Sequence, residues 1–212
     1  MAGNSVFHPV QVGGWSSGLR NLLRADFGKW FRTRMWWTQA LIWVAVIDGI
    51  LFSVLRSGGE EATLEMGLEL FSIFTGMFPA IAAVIITQDA IVGEREAGTA
   101  AWVLSKPVSR AAFVLSKLVP TAIGSLVTML LIPGLVAYGL LSWKAGNPLD
   151  VLRFLGALGI FWVNLLFYLS LTLMLGTFFT HRAPVIGIPL ALSFGQQMLI
   201  GQLPFRGSGS AG

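Results

Sequence analysis

LVPTAIGSLVTMLLIPGLVAYGLLSW, residues 118–143, carries no charged side chain between Lys117 and Lys144. A bilayer core about 30 Å thick is crossed by about 20 mostly apolar residues in an α-helix. Hydrocarbon offers no partner to a bare N–H or C=O, so only helices and closed barrels can span it. Barrel strands alternate in polarity over about ten residues, and no such alternation is visible here. Two more stretches pass the same test, between Arg153 and His181 and between Arg182 and Arg206. A fourth, between Glu69 and Asp89, is slightly shorter, and a fifth, Trp36 to Leu55, is apolar except for Asp48. The pattern predicts an all-α polytopic membrane bundle with five spans, at 36–55, 67–91, 119–142, 154–179 and 183–203. Pro79, Pro120, Pro133, Pro184 and Pro189 fall in or near the spans, where proline is tolerated and can kink a helix.

Composition agrees. The 212 residues are 55% hydrophobic and only 11% charged, with a mean hydropathy of +0.75. A water-soluble domain carries about 25% charged residues, so a soluble enzyme, a disordered linker and a coiled coil all fit poorly. The absence of Cys removes disulfides, thiolate metal sites and a Cys nucleophile. His8 and His181 are too few and too far apart for a His-based metal site. None of the four lysines precedes Ser or Thr, so no P-loop Gly-Lys-Ser/Thr is present and this chain is not an ATPase by that route. His-Glu-x-x-His is absent, and Gly207-Ser-Gly-Ser is no nucleophile elbow.

The net charge of +4 would suit nucleic acid, but the cations follow membrane topology instead. Arg20, Arg24, Lys29, Arg32 and Arg34 precede the first span; Arg95, Lys106, Arg110 and Lys117 lie between the second and third; Arg182 follows the fourth. The opposite side has Arg56, Lys144, Arg153 and Arg206. The excess of Lys and Arg on one side places the N-terminus in the cytoplasm, and no nucleic-acid partner is expected. Residues 1–14 lack the basic and apolar regions of a cleavable signal, so the first span is expected to stay in the protein.

Leu19, Leu22, Leu23, Phe27, Trp30 and Phe31 recur at helical spacing, with Arg24, Lys29 and Arg32 on the other side. This is an amphipathic helix for the plane of the interface, whose start Ser16 or Ser17 could cap. Trp36–Trp37 marks the headgroup level. A plain anchor and a docking element both fit it. The chain divides into 1–35 with the interfacial helix, the membrane domain 36–205, and 206–212, a flexible tail or linker.

The loop QDAIVGEREAGTAAWVLSKPVSRAAFVLSK, residues 88–117, breaks into pieces. The second span runs on in water to about Glu96. Gly98 can end that helix and Thr99 can cap a short one. Pro107 turns Lys106 away from helix, and Ser109 can cap a new helix through Arg110 and Lys117 into the third span. The product is an elbow whose tip exposes Trp102 and Val103, an apolar knob rimmed by charge. Taken alone, Glu94-Arg95-Glu96 also reads as a solvated helix end.

At these residues the chain resembles the type-2 permeases of ATP-binding-cassette (ABC) exporters. The residues that match are Glu94-Arg95-Glu96-Ala97-Gly98-Thr99, Ser105-Lys106-Pro107-Val108-Ser109-Arg110 and Lys117, together with the interfacial helix. The resemblance covers about residues 15–205. It implies that the elbow docks on a separate ABC ATPase subunit through Glu94, Arg95, Glu96, Gly98, Thr99, Trp102, Val103, Pro107, Arg110 and Lys117. ATP and Mg²⁺ would be bound by that ATPase and no cofactor by this chain. A second permease copy or a related chain would complete the substrate path, in a bacterial or archaeal cell membrane. Type-2 permeases usually have six spans and five are counted here, so a sixth is expected to be lost or to lie outside this sequence.

Few polar groups lie within the spans. Asp48 is the ionisable one, suited either to a substrate path or interhelical pair, or to snorkelling outward. Asn164, with Tyr168 and Thr172, forms a stripe on the fourth span; Gln196 and Gln197 could do the same on the fifth. Such groups serve as interhelical glue or as a substrate contact. A lipid-modifying membrane enzyme, which needs ionisable groups gathered at one depth, and a non-transporting scaffold or immunity protein are the competing readings.

Overall fold

The computed structural model describes residues 16, 18–58, 63–96, 98 and 109–202. They form six helices and, among the described residues, no strand. Helix α1 is the amphipathic Leu19–Phe31. Four helices are long and apolar enough to cross a membrane: α2 (Met35–Ser57), α3 (Leu64–Gly93), α4 (Arg110–Ala145) and α5 (Val151–Phe178). The fifth expected span forms the 21-residue α6, Arg182–Gln202, which packs on α3 and α5.

The helices run past the apolar stretches that announce them, because a helix does not stop where hydrocarbon does. Helix α3 continues without a break through Glu94–Glu96. Helix α4 has 36 residues, about 54 Å at 1.5 Å per residue, so it overshoots a bilayer core of about 30 Å. Local signals set the ends. The Thr63 hydroxyl accepts from the Met66 N–H at 3.1 Å, and Asp150 caps Leu152 and Arg153. Gly146, at φ +71°, closes α4. Helix α1 departs from expectation: it begins after Gly18 in a left-handed conformation, with no side-chain cap. Ser16 contributes its carbonyl instead, to the Leu19 N–H.

The core of the bundle lies where α2, α3, α4 and α5 meet. It is built from Trp43, Ile47 and Leu51 of α2, Phe71 and Ala83 of α3, Met129 and Leu141 of α4, and Leu158 and Leu165 of α5. Leu135, Ile160 and Phe178 stay exposed on the outside, as lipid-facing side chains do. Three spans contain a wide π-type turn: Val44–Asp48 in α2, Asp89–Gly93 in α3 and Leu126–Leu131 in α4. For the third the sequence offers a cause. Pro133 has no N–H for the carbonyl of Met129, four residues back, and the lost bond favours a wider turn.

Candidate functional site

The two halves of the elbow base are in place. Gly98 has φ +71°, the left-handed conformation that glycine adopts without a Cβ penalty, so the extended α3 ends where the sequence puts its stop. Ser109 is the N-cap of α4, its hydroxyl accepting from the Ala112 N–H at 3.0 Å. Arg110 is the exposed first residue of that helix. Thr99, Trp102, Val103 and Pro107, and the side chain of Arg95, lie outside the described residues.

Between the two halves sits a cluster of ions. The Lys117 ammonium bonds the Glu94 carboxylate at 2.7 Å and the Asp26 carboxylate at 3.0 Å. Their side chains are only 8%, 20% and 10% exposed. Lys29 adds a second cation, 3.1 Å from Asp26 and 3.5 Å from Glu94. Three helices thus meet at one charge centre: α1 through Asp26 and Lys29, α3 through Glu94, and α4 through Lys117. Partial burial works against the charge on Lys29, but the bonds and fields of Asp26 and Glu94 outweigh it and hold its pKa above the ordinary lysine value.

Asp26 escaped the sequence reading. It follows Leu22 and Leu23 by four and three residues and precedes Trp30 by four, which puts it on the apolar stripe. A carboxylate on that stripe signals a buried cation, and the cation is Lys117, 91 residues on. Just below it, the Trp30 ring lies on Gly124 of α4. A Cβ at position 124 would stand 2.5 Å from the indole, so only glycine admits the ring there. Helix α1 is therefore seated on α4, not merely floating in the interface.

Arg182, the first residue of α6, closes the other side. Its guanidinium donates to both oxygens of Glu96 at 2.6–3.2 Å and lies 3.4 Å from Asp89. The Arg182 bond holds the Glu96 carboxyl below its usual pKa. A depressed carboxyl contributes stability above its unfolded value, lost as pH falls through the folded one, below about 4.3. Arg182→Gln is therefore expected to destabilise the protein at neutral pH and low salt. The difference from the parent should vanish in acid below the folded Glu96 value and in about 1 M salt, where screening reaches about 3 Å. Thermal unfolding in detergent checks this; an unchanged difference in acid would exclude the contact.

The polar groups in the spans are bonded to one another across helices. Asn164 of α5 donates to the Gly76 carbonyl of α3 at 3.1 Å and accepts from the Gln196 amide of α6 at 3.4 Å. Gln196 in turn accepts from the Tyr168 hydroxyl at 2.8 Å. Gln196→Leu is expected to cost about 0.6 kcal/mol, the usual worth of such bonds in membranes; a loss above about 2 kcal/mol in unfolding experiments would point to a role beyond glue. Asp48 lies in the wide turn of α2, buried, with neither carboxylate oxygen bonded. Asn164 and His181, two of the groups that a lipid-modifying enzyme would gather, lie at different depths. Along α5, Asn164 stands about 20 Å from the Phe178 end that leads to His181.

Residues 20–205 match the family described as ABC-2 family transporter protein. No curated protein matches the chain. The match covers α1, every span and the elbow together: the chain belongs to the ABC-2 transporter family and is an integral-membrane permease of an ABC transporter.

Proposed function

We propose that the protein is the permease half of an ABC exporter, driven through its elbow by a separate ATPase subunit. The observation that carries this reading is the Lys117 bridge to Glu94 and Asp26. A lever transmits force only if its base is stiff, and this base ties α1, α3 and α4 in one charged, nearly dry joint. The sequence puts the apolar pair Trp102 and Val103 between Gly98 and Ser109, in the loop that the excess of Lys and Arg assigns to the cytoplasm. The ATPase subunit grips the knob and binds ATP and Mg²⁺. Charges around the knob, Glu94, Glu96 and Arg110 among them, set register more than affinity. Displacement of the elbow tilts α3 and α4 together and carries α1 with them. Two copies, or this chain and a related one, enclose the path between them in a bacterial or archaeal cell membrane.

Co-purification with the cognate ABC ATPase subunit tests the reading. Alanine at Trp102, Glu94 and Glu96 together is expected to abolish association, while the Gln196→Leu protein should retain it. Undiminished association of the triple variant would overturn docking at the elbow. A scaffold or immunity protein would instead keep its function in cells lacking the ATPase.

A further inference from the structure

Beside the charge lock lies a cleft of about 390 Å³, lined by Lys29 and Trp30 of α1, Ile86, Asp89 and Gly93 of α3, Pro120 of α4 and Arg182 of α6, with the lock itself as its back wall. We propose that this cleft binds the headgroup of an amine-bearing phospholipid, of the phosphoethanolamine class. The proposal concerns a lipid ligand and stands or falls independently of ATPase docking.

Depth is the first argument. Ile86 is the last apolar residue before Asp89, and Pro120 lies three residues into the apolar run that follows Lys117, so the cleft straddles the boundary between hydrocarbon and headgroups. Phe31, at the end of α1, and Trp37, in the first turn of α2, are exposed, and aromatic side chains favour the interface. A lipid can enter there with its acyl chains against Trp30 and Ile86, and its phosphate among the charges.

Charge is the second argument. Lys117, Asp26 and Glu94 hold one another in the back wall. The mouth presents two cations, Lys29 and Arg182, and one carboxylate, Asp89; Lys29 also bonds Asp26 and Glu94, and Arg182 also bonds Glu96. Lys29 and Asp89 side chains are 67% and 66% exposed, and Arg182 meets Asp89 at a loose 3.4 Å. Two donors suit a phosphodiester, and the carboxylate suits a primary ammonium with N–H groups to donate. A purely anionic headgroup meets Asp89 and Glu94 as like charges. A phosphocholine has no N–H to give Asp89, and its methyl groups crowd the mouth.

Native mass spectrometry of the full chain in detergent, titrated with lipids of matched acyl chains, tests this. Phosphatidylethanolamine is expected to bind about tenfold tighter than phosphatidylcholine or phosphatidylglycerol. Free O-phosphoethanolamine, lacking the acyl chains, should bind far more weakly. Asp89→Asn should bring phosphatidylethanolamine down to the phosphatidylcholine level, and Asp89→Glu should restore the preference. The Asp89 variants are compared with the parent by their unfolding temperature without lipid, so lost binding in a protein that still melts like the parent reports the site. Equal binding of the ethanolamine and choline lipids would overturn the proposal. So would a phosphatidylglycerol preference that survives Asp89→Asn, which would assign binding to the outward cations of α1 instead.

Discussion

Lys117→Met is expected to be the most damaging single change at the joint. Removing one partner of a buried ion pair costs about 3–5 kcal/mol, because the other charge is left without compensation. Here two carboxylates, Asp26 and Glu94, lose their shared cation. Lys29 remains within 3.1 Å of Asp26 and 3.5 Å of Glu94 and takes up part of the charge. The expected loss is therefore about 2–3 kcal/mol, below the full figure for an isolated pair. The cause can be separated from a simple packing defect. In the Lys117→Met background, Asp26→Asn removes one stranded charge and should recover part of the loss, a strongly non-additive cycle. Additive effects, or a loss under about 0.5 kcal/mol, would mean that the cluster is solvated and does not brace the elbow.

Gly124→Leu is expected to come close behind, through packing alone. The Cβ would already stand 2.5 Å from the Trp30 indole, and three further carbons cannot share that space with the ring. Overpacking costs about 1–3 kcal/mol, and here the ring must leave, lifting α1 off α4. Once α1 lifts, Asp26 is drawn away from Lys117, so the larger value is expected. Trp30→Ala alone opens a gap and should cost about 2 kcal/mol, less than the 3–5 of a fully buried aromatic because Trp30 is only half-buried. Combined, the two substitutions should be milder than their sum. If Gly124→Leu melts like the parent protein, α1 is not seated on α4 as described.

Both effects bear on what the sequence could tell. The spans were legible because the cost of a charge in hydrocarbon spaces the charges: the run from Lys117 to Lys144 needs no neighbour to be understood. The stops and starts were legible where the signal is local, as at Gly98 and Ser109, whose backbone or hydroxyl acts within a few residues. The turns that continue in water were legible too: the sequence carried the second span to about Glu96 and began the next helix at Ser109, and Glu94–Glu96 are helical and α4 starts at Arg110. What the sequence withheld is pairing at long range. Lys117 stood out through a family resemblance, but its partner Asp26 lies 91 residues away. Arg182 counted only as a topology cation because Glu96 is 86 residues distant. Gly124 looked like any small residue in a membrane helix, and nothing near it in sequence names Trp30 as its occupant. The wide turn at Asp89–Gly93 has no proline to announce it.

The central claim is that the elbow is a lever in the cytoplasm, gripped by a partner. The chain has no Cys, so Thr99→Cys gives a single thiol at the elbow for a membrane-impermeant maleimide. In sealed vesicles of known orientation, the account predicts labelling from the cytoplasmic face only, and protection from it once the ABC ATPase subunit is bound. Labelling from the opposite face, or no labelling until the bilayer is dissolved, would contradict it.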